Sequence, residues 1–221
     1  ANRPVNFVSW GDAARFTNWL HNGQPTGLQD LTTTEDGAYF LNGARSDSAL
    51  MAVTRKADAL YWIPSEDEWY KAAYYDPTKG ANGGYWLYPT GSDSVPSNQL
   101  IDPDPGNNAT FWANGYTIGS PYWRTEVGAH ENSASYYGTF DQGGNVWEWN
   151  ETVVTSSSRG LRAGSLNSHE HDLRASYRFN GYPRFEDGYS GFRVARIPEP
   201  GTITLLLCFA IGGLMWRRRQ R

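Results

Sequence analysis

The sequence predicts an α+β domain with short strands, two main helices and extensive ordered loops, followed by a membrane-directed tail. Three observations predict this. Only 39% of the residues are hydrophobic, yet 10 Trp, 14 Tyr and 9 Phe are present, so the buried area comes from a few large rings. The 24 Gly and 12 Pro interrupt the chain too often for a helical bundle. Two segments combine a helix start signal with an apolar face, and most of the remainder alternates short apolar runs with turn residues. A chain of 221 residues is long enough for one substantial core.

The first helix starts after Ser9, a capping residue, with Asp12 in its first turn and Ala13, Phe16, Trp19 and Leu20 spaced for one face. His21-Asn22-Gly23 ends it, and His21 reads as a surface residue. Residues 24–54 are polar and turn-rich apart from Tyr39-Phe40-Leu41. Leu60 to Ile63 forms a short strand that Pro64 stops. Ser65 and Glu68 then make a capping box for a second helix, with Trp69, Ala72 and Ala73 on its buried face. Glu66 and Glu68 are carboxylates of possible catalytic type, although capping accounts for Glu68. Residues 74–125 are irregular and rich in Gly, Pro, Asn and Asp. So long a loop inside a domain needs something to hold it; rings such as Tyr85, Tyr88, Phe111, Tyr116 and Trp123 supply part, and calcium would supply more.

The chain is organised around Phe140 to Asn150. Gly143 and Gly144 permit a turn that side chains would forbid, and Val146, Trp147 and Trp149 then enter a bulky strand. Asn145 and Glu148 lie among these rings, where each needs a hydrogen-bond partner or a cation. Arg159 to Ser165 reads as another strand running into a glycine turn.

Charge and cysteine content exclude several functions. Net charge is −4, and removing the four tail arginines and Glu199 from the 19 basic and 23 acidic residues leaves a folded part near −7. No nucleic-acid partner is expected of that surface. The one cysteine, Cys208, lies in the apolar tail, so the folded part makes no disulfide and no thiolate metal site. Ala1 is not a plausible start for a gene product, and the N-terminal part is expected to be missing.

Gly144-Asn145-Val146-Trp147-Glu148-Trp149 resembles the signature of the formylglycine-generating enzyme, or sulfatase-modifying factor, family. Ile63-Pro64-Ser65-Glu66-Asp67-Glu68-Trp69, Arg162-Ala163-Gly164-Ser165, Leu173 to Arg178 and Gly191 to Arg196 are similar to further blocks of the same family, in the same order. The resemblance covers Pro4 to Arg196 and implies a C-type-lectin-like topology for residues 1–196. It also implies a calcium site using the Asp141 side chain and the carbonyls of Gln142, Gly144 and Val146, oxygen ligands that suit this ion. A second calcium site of the family would involve Thr110 and Phe111, with further ligands near Gly119 to Pro121, but an Asn of that motif is Thr here and an Asp is lost, which argues against it.

The family oxidises a client cysteine to formylglycine with O₂ and Cu(I), the copper held by two cysteines. Those positions fall on Ser168 and near Leu173 here, which argues against that activity and makes copper an unlikely cofactor. The expectation is a non-catalytic surface domain binding a ligand through an aromatic, acidic loop face. The alternative is a metal-dependent oxidative enzyme of the family working without the cysteine pair. His169 and His171 point the same way if their segment is extended, but such local clusters are usually solvated.

Residues 197–221 form the tail: Pro198-Glu199-Pro200, an uncharged run from Gly201 to Trp216, then Arg217-Arg218-Arg219-Gln220-Arg221. The order resembles a PEP-CTERM sorting signal, which implies an exosortase-type sorting protease as partner and a Gram-negative host, often one that makes exopolysaccharide. The run is expected to cross the inner membrane as a helix with its arginines in the cytoplasm. The domain is then exported, and is sorted to the envelope or extracellular matrix.

Overall fold

The computed structural model describes residues 2–197. The calls on Pro198, Glu199, Pro200, the span from 201 to 216, and Arg217, Arg218 and Arg219 lie outside the described residues. No helix among the described residues is long and apolar enough to cross a membrane.

Helix α1 (Trp10–His21) begins as its sequence demands. Ser9 Oγ accepts from the Asp12 amide at 3.1 Å, and Asp12 Oδ2 accepts from the Ser9 amide at 2.9 Å, so two orphan donors are satisfied reciprocally. Its buried face, however, is Trp10, Ala13, Ala14, Thr17 and Asn18, and Phe16 is 42% exposed. The apolar count misplaced this face because a polar residue anchors it. Asn18 Nδ2 donates to the carbonyls of Thr34 and Tyr39, each at 2.8 Å, and Asn18 Oδ1 accepts from the Tyr39 amide at 2.8 Å. These bonds tie the polar 24–54 segment to the helix and bring Tyr39 against Trp10, ring centroids 5.6 Å apart. A short helix α2 (Asp47–Met51), capped by Ser46, lies in that segment, where only turns are expected.

Strand β1 (Tyr61–Trp62) pairs antiparallel with the last strand, β8 (Ala195–Arg196). It leads into α3 (Glu66–Tyr74), whose Ser65–Glu68 capping box is present and whose buried residues are Glu66, Trp69, Ala73 and Tyr74. Strands β2 (Tyr75–Asp76) and β3 (Gly84–Tyr85) form a small hairpin. The main sheet has four strands in the order β6-β5-β4-β7. They are β4 (Trp147–Thr155), β5 (Ser158–Arg162), β6 (Phe179–Gly181) and β7 (Ser190–Phe192). Strand β4 runs antiparallel to β5 and parallel to β7.

The largest core cluster joins α1, the 38–53 segment and the sheet through Trp10, Tyr39, Leu50, Ile63, Trp149 and Leu161. Arg159 is buried in it. Its guanidinium stacks 3.6 Å from the Trp10 ring centroid and donates to the carbonyls of Leu50 and Val53 at 2.8 and 2.7 Å.

The long loop region is held chiefly by polar bonds. Tyr85, Tyr116 and Trp123 are exposed, while Tyr88 and Phe111 are buried with Ala109 and Leu173. The buried Asp104 carboxylate accepts from the amides of Gly106 and Asn132 at 3.0 Å, from the Ser133 hydroxyl at 2.7 Å and from Asn108 Nδ2. Burial alone would raise its pKa, but these donors outweigh it and hold the carboxyl below the usual range.

Candidate functional site

The turn before β4 is fixed by its neighbours on both sides. The Gly144 amide donates to the Ala163 carbonyl, and the Asn145 amide to the Thr110 carbonyl, both at 2.7 Å. Gly144 has φ +79°, and a Cβ there would overlap the Thr110 carbonyl, so this position requires glycine. Asp141 and Asn145 also have positive φ, 56° and 64°, which their residue types tolerate better than most.

Of the polar groups foreseen among the rings, Glu148 is fully partnered and Asn145 only in part. Glu148 accepts from Trp69 Nε1 at 2.6 Å and from Arg193 Nη2 at 2.6 Å, and it also pairs with Arg193 Nε. Arg193 Nη2 further donates to the Phe140 carbonyl at 3.1 Å, so the last family block clamps the start of the turn. Asn145 Nδ2 lies 3.2 Å from Thr125 Oγ1, while Asn145 Oδ1 is buried with no partner among the described residues.

Asp141, Gln142, Gly144 and Val146 lie within six consecutive residues of this turn. The Asp141 carboxylate accepts from the Gly128 amide at 2.7 Å. Burial first, with the Glu148 charge, raises its pKa against the lowering from the Gly128 amide, His130 and Arg193. Asp141 and Gln142 line a cavity of about 10 Å³ with Asn108, His130 and Ser133. Asn108 Oδ1 and His130 Nδ1 are buried there with no partner among the described residues. A half-buried carboxylate beside an unpartnered amide oxygen fits a hard cation in donor chemistry. The Gly144 carbonyl already accepts from the Val146 amide at 2.8 Å, and a carbonyl has a second lone pair. At the position of the family's second calcium site, Thr110 Oγ1 lies 2.7 Å from Thr125 Oγ1 and 3.1 Å from His130 Nε2. No local signal in the sequence marks His130 as a partner of Thr110; the folded chain brings the two together across 20 residues. Burial lowers the His130 pKa despite three nearby carboxylates. His21 likewise has a role beyond the surface, its Nδ1 accepting from the Leu60 amide at 3.0 Å.

Ser168 sits in a tight turn, its Oγ accepting from the Ser165 amide at 3.0 Å. Leu173 is fully buried against Tyr88, Ala109 and Phe111. Between them lies a 3₁₀ turn (Glu170–Leu173), not the extended segment considered for His169 and His171. The two imidazoles stack, centroids 6.0 Å apart and planes 14° apart, and His171 Nε2 lies 3.0 Å from Asp172 Oδ1. Parallel rings do not converge on one ion, and no group of three or more His, Cys, Asp or Glu among the described residues is placed to hold a metal. Glu66 proves to be a buried structural anion. Arg162 Nε and Arg178 Nε donate to its two oxygens, each at 2.7 Å.

An open groove of about 600 Å³ lies against the four-stranded sheet and the chain that follows β6. Its rings are Trp147, Phe179, Tyr182, Phe185 and Tyr189.

A four-stranded curled sheet, a Gly-Asn-Val-Trp-Glu-Trp turn locked by Arg193 and an Arg-x-Gly-Ser turn define the class of a sulfatase-modifying-factor-like domain. The chain belongs to that family: residues 1–198 match the model of the sulfatase-modifying factor enzyme 1-like domain, and residues 196–219 match the PEP-CTERM protein-sorting motif. Similar folds occur in Treponema denticola variable protein 1 (22% identity, 89% of this chain and 72% of that one, TM-score 0.55). They also occur in CarF (19%, 89% and 69%, 0.55) and in PvdO from Pseudomonas aeruginosa (17%, 89% and 63%, 0.52). No curated protein matches the chain. The sorting motif implies an exported protein that meets an exosortase at the membrane and is sorted to the envelope.

Proposed function

We propose that the domain is a ligand-binding module of the cell envelope and not a formylglycine-forming enzyme. The observation that carries this is the chemistry at the two positions where the family's copper cysteines fall. One is a serine hydroxyl tied into its own turn and the other a leucine closed into the core. Neither supplies the soft thiolate that Cu(I) requires. The open, ring-lined groove beside that turn supports binding as the retained function, since binding sites are carried on such scaffolds without the original chemistry.

Calcium is the cofactor of this reading, held by the Asp141 carboxylate and the carbonyls of Gln142, Gly144 and Val146. It would supply positive charge to the half-buried Asp141 carboxylate and so fix the turn that leads into Trp147 and Trp149. The tail places Pro198-Glu199-Pro200 outside the inner membrane and Arg217, Arg218 and Arg219 in the cytoplasm. An exosortase-type protease acts at the Pro-Glu-Pro segment, and the released domain stays with the envelope or its exopolysaccharide.

The test of the chemistry is direct. Copper-loaded protein is incubated with a Cys-x-Pro-x-Arg peptide under air and the aldehyde product is measured. A rate equal to copper alone is expected; a rate above that control overturns the reading.

A further inference from the structure

The rings of the groove come from separate parts of the chain: Trp147 from β4, Phe179 from β6, and Tyr182, Phe185 and Tyr189 from the β6–β7 connection. The register β6-β5-β4 brings the first two together. Trp147 and Phe179 lie 5.2 Å apart, and Trp147 and Tyr177 6.0 Å apart, each pair tilted by only 35°. They form a bank of similarly inclined faces, not a closed apolar pocket. Phe179, Tyr182 and Phe185 remain 45%, 59% and 51% exposed, which is much ring surface to leave in water without a partner.

The polar lining is almost neutral. Ser157, Asn167 and Asn180 contribute hydroxyl and amide groups, and among the described residues Asp187 is the one charged residue of the lining and neither Lys nor Arg contributes to it. A phosphate, sulfate or uronate ligand would therefore meet no positive charge and one carboxylate, a like-charge arrangement that opposes binding. Ring faces beside hydroxyl, amide and carboxylate groups complement a ligand that has apolar C–H faces and a rim of hydroxyls.

On these grounds, and resting on the ligand-binding reading above, we propose that the groove binds a neutral glycan. Its sugar rings lie over Trp147, Phe179 and Tyr182, and its hydroxyls bond to Asn180 and Asp187.

The test uses the full-length chain in non-ionic detergent, titrated calorimetrically with cellohexaose and mannohexaose as neutral probes and a guluronate hexamer as the acidic one. Saturable binding of at least one neutral probe is expected, with the acidic probe weaker. Tyr182→Ala and Phe179→Ala should each weaken it about tenfold, the loss of one well-stacked anchor. Tyr136→Ala, an exposed ring outside the groove, should leave it unchanged. Circular dichroism checks each fold, and Asn180→Ala replaces any variant that unfolds. Absence of saturable neutral-glycan binding at millimolar concentration overturns the proposal, as does tighter binding of the guluronate. Binding that survives both ring substitutions places the site elsewhere and overturns it too. A second arm measures co-sedimentation with the host envelope. If the envelope retains the wild type but not the Tyr182→Ala variant while neither neutral probe binds, the glycan assignment falls and ligand binding stands. If retention also fails, both fall.

Discussion

Replacing Arg162 by methionine should cost far more than replacing Arg178, although both pair with the same carboxylate. The Glu66 side chain is 5% exposed, Arg162 9% and Arg178 47%. Arg162 contributes its Nε bond at 2.7 Å, an Nη2 contact at 2.5 Å and bonds to the carbonyls of Ala175 and Tyr177. Arg162→Met leaves the Glu66 charge and those carbonyls poorly compensated inside the fold, a loss of about 3–5 kcal/mol. For a domain of this size that lowers the melting midpoint by about 6–20 °C. Arg178→Met removes a half-exposed partner that water replaces in part, a loss of about 1 kcal/mol. The acid limb gives an independent check. Burial would raise the Glu66 carboxyl, but hydrogen bonds from Arg178 and then Arg162 outweigh it and hold it below its ordinary value of 4.5. A depressed carboxylate contributes stability that is fully present above the unfolded value and is lost as pH falls through the folded one. Wild type should therefore lose stability below about pH 4.5 more steeply than Glu66→Gln. Urea denaturation of the detergent-solubilised chain between pH 3 and pH 7 measures both effects. Equal costs for the two arginine variants, or identical acid limbs for wild type and Glu66→Gln, would refute the argument that burial decides the strength of this cluster.

Calcium should raise the melting midpoint: at 100 times its dissociation constant it adds about 2.7 kcal/mol, and an Asp141→Ala variant that keeps the whole response removes the ion from this turn. Gly144→Ala should cost at least about 3 kcal/mol, because backbone strain and overlap with the Thr110 carbonyl act together. Gly138→Ala has a similar φ of +72° and an open surrounding, so it should cost only about 1–2 kcal/mol; equal losses in denaturant would discount the overlap. Mass spectrometry of the mature envelope fraction should find a C-terminus near Pro198-Glu199-Pro200, and a dominant species intact through Arg221 rules out processing.

Local chemistry made much of the fold legible, and non-local pairing hid the rest. Both helix starts could be read, Ser9 as a cap and Ser65–Glu68 as a capping box, because these residues act within one helical turn. The turn at Gly144 could be read because only glycine tolerates that conformation so close to another backbone. The buried face of α1 could not, because Asn18 counts as polar until Thr34 and Tyr39 arrive from a distant loop to satisfy it. Helix α2 has five residues, too few for periodicity to show. From the sequence, rings hold the loop region in part and calcium holds it further, and Asp104 is not foreseen, although it gathers donors from residues up to 29 positions away. A buried carboxylate carries no sequence mark that separates it from the exposed ones.

The candidate site divides along the same line. Asp141 to Val146 form a contiguous string, so their proximity was certain before any fold was known. The groove is assembled from β4, β6 and the chain before β7, and its rings become neighbours only through the strand order β6-β5-β4-β7. The absence of basic residues from its lining, among the described residues, is a property of the assembled groove and of no single segment. This separation also bears on how the scaffold could change its chemistry. The turn, Glu148 and Arg193 fix the strands, while the exposed rings of the groove occupy positions that nothing in that clamp requires to be any particular ring. Substitution at the groove therefore alters what is bound or transformed at little cost to the fold, whereas substitution at Gly144 or Arg193 should not.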